Sequence, residues 1–390
     1  MIWISPTHLR NEHISGPDCR STSAYHGSRI SVEAMRECNT YQCLSRRRDS
    51  WQPPDSELED FERQGRYVLS GLGDDTKEEY EPRVFPERNL VQSPTTNRFS
   101  RHYTGGLFHP TCFEVFKRAS IYRYGFVNVD GLVCWAIVAG AQEEPTLRIP
   151  EHAAVKRARQ EYWTHNAGDE FLAANPCFIP GLQDILDSAQ NVCSSDDICP
   201  DAASPAPSST DIFSKFPQEI KLEILLQLDS WDIANLRLSS RTFRHLPQSL
   251  FYHLTLRELP WLYEAWSPLP LSGFVTTTAA EQRRIGQPLH EINGKIWDLR
   301  IDDDGSEEAA AEINRLVGLA AKLKERQRQG CKATPVRMLD RRITNWTHLR
   351  GELSRRWTEL PGLRNRRRIW NKCQEIMDRA ETIQRSPTDI

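Results

Sequence analysis

Apolar residues along this chain recur mostly at helical spacing, and sustained strand-like alternation is absent. In "GGLFHPTCFEVFKRAS", Pro110 suits the first position of a helix, because its missing N–H would have no partner there. Cys112, Val115, Phe116 and Ala119 follow on one helical face. "VDGLVCWAIVAGAQ", with Leu132, Trp135, Ala136 and Val138, reads as a buried helix more than a strand. In "YWTHNAGDEFLAANPCFIPGLQDIL", Pro176 and Pro180 act as breakers before a short helix over 182–186.

The densest apolar run is "FSKFPQEIKLEILLQLDSWDIANLRLSSRTFRHL", residues 213–246. Pro217 suits a helix start, and Glu219 places a negative charge where the helix N-terminus favours it. Ile220, Ile224, Leu225 and Leu228 form an apolar stripe, and Leu222 and Leu226 lie off it. Asp229 or Ser230 can cap a second helix carrying Ile233, Leu236 and Leu238. Ser239 or Ser240 can cap a third, carrying Phe243 and Leu246 and ended or bent by Pro247. Three helices this short enclose little core, so the surplus apolar residues need cover. Either the rest of the chain or another protein supplies it.

Around this run the chain divides by composition. Residues 1–104 mix His, Ser, Arg and Pro with acidic clusters such as "DSELEDFE", show no sustained period, and are expected to be largely disordered. Residues 105–190 read as a small helical region, and the Pro/Ser/Asp-rich 191–211 as a linker. Residues 212–256 form the three-helix unit. Residues 257–390 read as a helical C-terminal region with "LPWLYEAW", "EEAAAEINRLVGLAAKLKERQ" and "LPGLRNRRRIWNKCQEIMDRAETIQ". The expected fold class is mainly α, with irregular, mostly helical flanks and a long poorly ordered N-terminal segment. No repeat of about 20–50 residues suggests a solenoid or propeller.

Charge sharpens one region. The 390 residues carry a net charge of −3, but 311–390 hold 19 Lys and Arg against 9 Asp and Glu, a local +10. A basic C-terminal third suits nucleic acid or an acidic protein face. No apolar run approaches the roughly 20 residues of a membrane span, and the apolar patch in "MIWISPTHLRNEH" is short for a signal-peptide core. The ten cysteines are scattered, which fits free thiols in a reducing compartment.

Candidate chemistry is thin. His109 with Cys112, and Cys38 with Cys43, are possible half-sites for a metal, yet no CxxC occurs. Gly71 and Gly73 lack the strand–helix setting of a phosphate loop, and Asp302, Asp303 and Asp304 lack calcium-loop spacing. No metal, no cofactor and no catalytic residue is expected, and the chain is read as a non-enzyme. Arg364, Arg366, Arg367 and Arg368 beside Trp370 make the sharpest basic cluster, suited to phosphate contact or nuclear targeting. The plainer reading is a helix with those arginines in water or paired with acids, and Ile369 and Trp370 inward.

The 213–246 run also resembles an F-box. Phe216-Pro217, Glu219-Ile220, Glu223-Ile224-Leu225, Leu228, Asp232, Leu236, Leu238 and Ser240-Arg241-Thr242-Phe243 fall at the family's spacing. Phe216 replaces the usual Leu, Ser239 the usual Val, and Phe251 the later Trp. "GGLFHPTCFEVFKRA" and "LPGLRNRRRIWNKCQEI" are similar to segments flanking the F-box in many fungal F-box proteins. The resemblance implies a substrate receptor of an SCF-type ubiquitin ligase, non-catalytic itself. Its F-box would bind the Skp adaptor and, through it, the cullin scaffold, and it would recruit an unknown protein target. Adaptor-binding candidates are Phe216, Pro217, Ile220, Ile224, Leu225, Leu228, Leu236, Leu238 and Phe243, some of which must instead form the unit's own core. No membrane partner is implied, and location would be cytoplasm and/or nucleus. The alternative is a nucleic-acid or chromatin-associated protein using the basic C-terminal third.

Overall fold

A computed structural model describes residues 30–38, 40–47, 58–74, 107–141, 152–160, 166–191, 211–301, 307–330 and 333–385. Helices dominate them. In chain order they are α1 Asp60–Gln64, α2 Pro110–Tyr124, α3 Val129–Ala141, α4 Ala153–Gln160, α5 Leu182–Asn191, α6 Gln218–Leu226 and α7 Ser230–Ser239. Then come α8 Gln248–Glu258, α9 Gly273–Thr276, α10 Ala279–Ile301, α11 Glu307–Gly330, α12 Trp346–Arg355 and α13 Pro361–Arg385. The fold class is mainly α, as expected. The chain forms two compact units: Met1–Ile179 with Pro270–Pro335 and Pro361–Ile390, and Pro180–Leu269 with Val336–Leu360.

The first unit holds a small sheet that the sequence pattern did not signal. β1 (Thr40–Arg46) pairs antiparallel with β2 (Tyr67–Leu69), β3 (Gly73–Asp74) and β4 (Leu107–Phe108). Leu44 sits opposite Leu69, and Gln42 opposite Phe108. The first five residues of β1 are all buried, polar Thr40 and Gln42 included, so burial does not alternate along the strand. Gln42 resolves its burial by donating to Ser70 O at 2.8 Å. The remainder of 1–104, and 192–210 of the expected linker, lie outside the described residues.

α2 begins at Pro110 and ends on Gly125, whose φ of 79° closes the helix in the left-handed region. Every residue from Pro110 to Ser120 is buried, charged ones included. The charges are paired: Glu114 meets Lys117 at 2.8 Å and Arg118 at 3.0 Å, and Lys117 also meets Glu59 at 2.7 Å. α13 packs on α2 and α3, with Trp370 edge-on to Tyr122 at 5.7 Å. Arg123 donates to Asp378 at 2.6 Å, and Tyr124 to Glu381 at 2.7 Å. Gly362 is needed there, since a Cβ would stand 2.5 Å from Asn175 O. α10 and α11 form an antiparallel hairpin on a seam of Leu289, Ile292, Ile296, Leu316 and Ala320. α11 was legible in the sequence. α10 was not, because Pro288 lies inside it.

The second unit joins Pro180–Leu269 to Val336–Leu360. α12, from far down the chain, packs on α5 and α8. Trp346 is buried, its ring 5.0 Å from that of Tyr252, and its backbone N–H donates to Gln248 Oε1 at 2.9 Å. Asn345 N donates to Ala189 O at 2.9 Å. The unit around the F-box-like run is therefore assembled from two separate stretches of sequence.

Candidate functional site

The residues of the F-box-like run form one 3-10 turn (Ile212–Lys215), then α6, α7, a second 3-10 turn (Arg241–Phe243) and α8. Pro217 precedes α6 at its N-cap, and Glu219 lies in its first turn. Asp229 caps α7, accepting from Asp232 N at 2.8 Å. One expectation is corrected. No helix carries Phe243 and Leu246; Ser240 leads into a single tight turn, and Pro247 opens α8 instead of ending a helix. Pro247 is extended there, with ψ 148°, and its carbonyl accepts from Leu250 N at 3.0 Å.

The last turn of α8 holds the α6–α7 junction with charges matched to the helix ends. Arg257 donates to Leu226 O at 2.7 Å and Leu228 O at 2.6 Å, satisfying carbonyls at the end of α6. Glu258 accepts from Ser230 Oγ at 2.6 Å at the start of α7, and from Arg350 at 2.6 Å. Burial pushes the Glu258 carboxyl up, but those hydrogen bonds and Arg350 outweigh it and hold it below the usual range.

The structure sorts the nine adaptor-binding candidates. Leu225 and Phe243, each 2% exposed, lie inside the unit's own core with Ile233, Leu250 and Leu254. Leu228 and Leu236 are half-buried against that core. Ile224 is half-buried. Phe216, Pro217, Ile220 and Leu238 are exposed, Leu238 to 88%. Two further exposed apolar residues escaped the sequence reading: Ile212 at 66% and Trp231 at 75%. Trp231 and Leu238 stand seven residues apart, on one face of α7, and that spacing is the signal that would have found Trp231.

Other candidates resolve differently. Cys112 Sγ lies 3.8 Å from His109 Nδ1 at the start of α2. Among the described residues no group of three or more His, Cys, Asp or Glu could hold a metal ion. Burial pushes the Cys43 thiol up to about 12 and raises that of Cys177 as well, so neither is poised as a nucleophile. Gly73 lies in β3, and Asp302–304 fall outside the described residues. The arginine cluster does not stand in water as one patch. Arg366 is fully buried and donates to Pro176 O at 2.6 Å. Arg364 lies 4.4 Å over the Phe171 ring, and Arg368 donates to Asn365 Oδ1 at 2.9 Å. Ile369 and Trp370 are buried. No described helix is long and apolar enough to cross a membrane.

No curated protein and no solved structure matches the chain. Residues 213–254, from the first 3-10 turn into α8, match the F-box domain family. The match makes this stretch similar to F-box domains, which in general bind the adaptor of SCF-type ubiquitin ligases.

Proposed function

We propose that the chain is a substrate receptor of an SCF-type ubiquitin ligase, docking the Skp adaptor through the outward apolar residues of its F-box. The observation that carries this reading is the pair Trp231 and Leu238 on α7, large apolar side chains left in water beside a core already filled by Ile233 and its neighbours. Phe216, Pro217, Ile220, Ile224 and Leu238 would meet the adaptor. Leu225, Leu228, Leu236 and Phe243 would hold the shape that presents them. Covering one such side chain is worth about 2 kcal/mol, so a few together supply a usable interface.

The chain itself does no bond chemistry in this scheme. The adaptor links it to the cullin scaffold, and a protein target held by the remainder of the chain comes close to the ubiquitin thioester. Transfer then behaves as an intramolecular step. The unit built on α2 and α13 is the candidate for target binding, and cytoplasm and/or nucleus is the expected setting. Nucleic-acid binding through the basic third is the weaker reading, because Arg364, Arg366 and Arg368 are engaged within the fold.

The test is co-purification of the Skp adaptor with the full chain and with Ile220→Asp/Leu238→Asp. Both positions are exposed, so the variant should keep its circular dichroism and lose the adaptor. Ile224 and Leu228 are poorer choices, being half-buried. Adaptor retained by the double variant, or never recovered with wild type, would sink the proposal.

A further inference from the structure

Asp211 lies two residues upstream of the matched F-box, yet its carboxylate is the most heavily engaged in this part of the chain. Oδ2 accepts from Ser240 Oγ at 2.7 Å, Thr242 Oγ1 at 2.7 Å and Thr242 N at 3.3 Å. Oδ1 accepts from Phe213 N at 3.1 Å, capping the turn that Asp211 itself begins. Those partners sit about thirty positions further along the chain, in the Ser-Arg-Thr-Phe turn between α7 and α8. The hydroxyls of Ser240 and Thr242, then the backbone donors, hold the Asp211 carboxyl down at about 2.

The bonds fix a short strap with two faces. Phe213 turns inward, its ring 5.1 Å edge-on from Phe243 and 6.1 Å from Phe216. Phe216 N donates to Phe213 O, closing the turn. Ile212 and Phe216, on either side of the inward ring, remain exposed and run into Pro217 and α6. Without the Asp211 carboxylate the described contacts left to the strap are the Phe213 ring and bonds within the turn itself, including Ser214 Oγ to Asp211 O at 2.7 Å, and a turn of four residues is not stable by itself.

We propose that Asp211 is a positioning residue of the adaptor-docking surface: its carboxylate latches residues 212–216 onto the 240–242 turn and so sets how Phe216 and Pro217 are presented. The inference rests on the adaptor-binding reading and extends the docking element upstream of the residues matched to the F-box. Thr242 is the other half of the latch, and a negative charge placed there would oppose it.

The experiment measures Skp-adaptor affinity of the full chain for wild type, Asp211→Ala, Thr242→Val and the double variant, with hydrogen exchange over 211–217 on the same proteins. Each single change should weaken binding roughly threefold to tenfold, the range seen for lost caps. The double should be no weaker than Asp211→Ala, because both remove one interaction. Exchange over 211–217 should quicken in all three variants. Thr242→Glu, which sets two carboxylates together, should match Asp211→Ala, and Asp211→Glu should recover part of the affinity. Additive losses, or unchanged affinity with unchanged exchange, would overturn the latch. If wild type binds no adaptor, the receptor reading fails, and exchange alone decides the latch: quickening supports it, and no change removes it.

Discussion

α2 and α7 invert the usual rule for what a helix hides. α2 keeps Glu114, Lys117 and Arg118 inside, whereas α7 buries Ile233 alone and leaves Trp231 and Leu238 in water. Both arrangements are costly when unexplained, one in desolvated charge and the other in hydrated apolar surface. In α2 the explanation is internal, since each charge has an opposite partner within 3.0 Å. In α7 no described residue covers Trp231 and Leu238, and the proposed adaptor would supply that cover. Polarity alone therefore does not separate scaffold from docking surface; what matters is whether the residue's need is met within its own unit.

The largest effect should come from breaking the pairing in α2. Glu114→Ala leaves Lys117 with Glu59 only and takes from Arg118 its 3.0 Å carboxylate. Removing one partner of a buried ion pair costs about 3–5 kcal/mol. Denaturant unfolding should show a loss of that size, far beyond an ordinary surface change. A loss under about 1 kcal/mol would mean that water reaches these charges and that the pairing in α2 is not buried.

Glu37 sharpens the same comparison, because it is a buried carboxyl without full compensation. It has a φ of 64°, is buried beside β1, meets Arg36 Nε at 3.3 Å, and among the described residues Oε2 has no hydrogen-bond partner. Burial pushes its pKa up to about 8, against the pull of Arg36 and with a smaller push from Glu281. Glu114, also buried, is pulled the other way by Lys117 and Arg118 despite its own burial penalty. For Glu37 the folded state holds the proton more tightly than the unfolded state, whose pKa is near the ordinary 4.5. Its contribution is then complete below about pH 4.5 and is lost as pH rises towards 8, with a slope of at most about 1.4 kcal/mol per pH unit. Stability of wild type relative to Glu37→Gln, measured between pH 5 and 8, should fall with rising pH. A flat difference would place the carboxyl in water.

How much of this was readable beforehand follows the same division. α2, α11 and the start of α6 were legible because Pro110, an apolar stripe and Pro217 mark them locally. β1 was hidden because its first five residues are buried whichever way they point, so burial does not follow the polar–apolar order of the sequence. The stretch after Ser240 was misread because Pro247 is equally compatible with ending one helix and starting another, and only the packing of Leu250 and Leu254 decides. Within the F-box the apolar positions were legible, but their direction was not. Leu225 and Ile224 are neighbours in sequence; one is core and the other half-buried, a difference set by α8 and the Phe243 turn, tens of residues away. Asp211 was invisible for a similar reason, its partners being 29 and 31 residues distant.

The smallest stability effect belongs to α7, and it is the most informative for function. Trp231→Ser removes the largest side chain of the helix, yet the ring is 75% exposed. Surface changes of this kind stay within about 0.5 kcal/mol, so thermal unfolding of the full chain should barely move. Adaptor binding should respond in the opposite sense. An exposed Trp that becomes covered is the residue type most often found to dominate an interface, and its loss should weaken binding more than tenfold, about 1.4 kcal/mol or more. An unchanged midpoint with lost binding would separate the two helices as scaffold and docking face. A large drop in stability would mean that Trp231 is covered by this chain in solution, and the contrast between α2 and α7 would disappear.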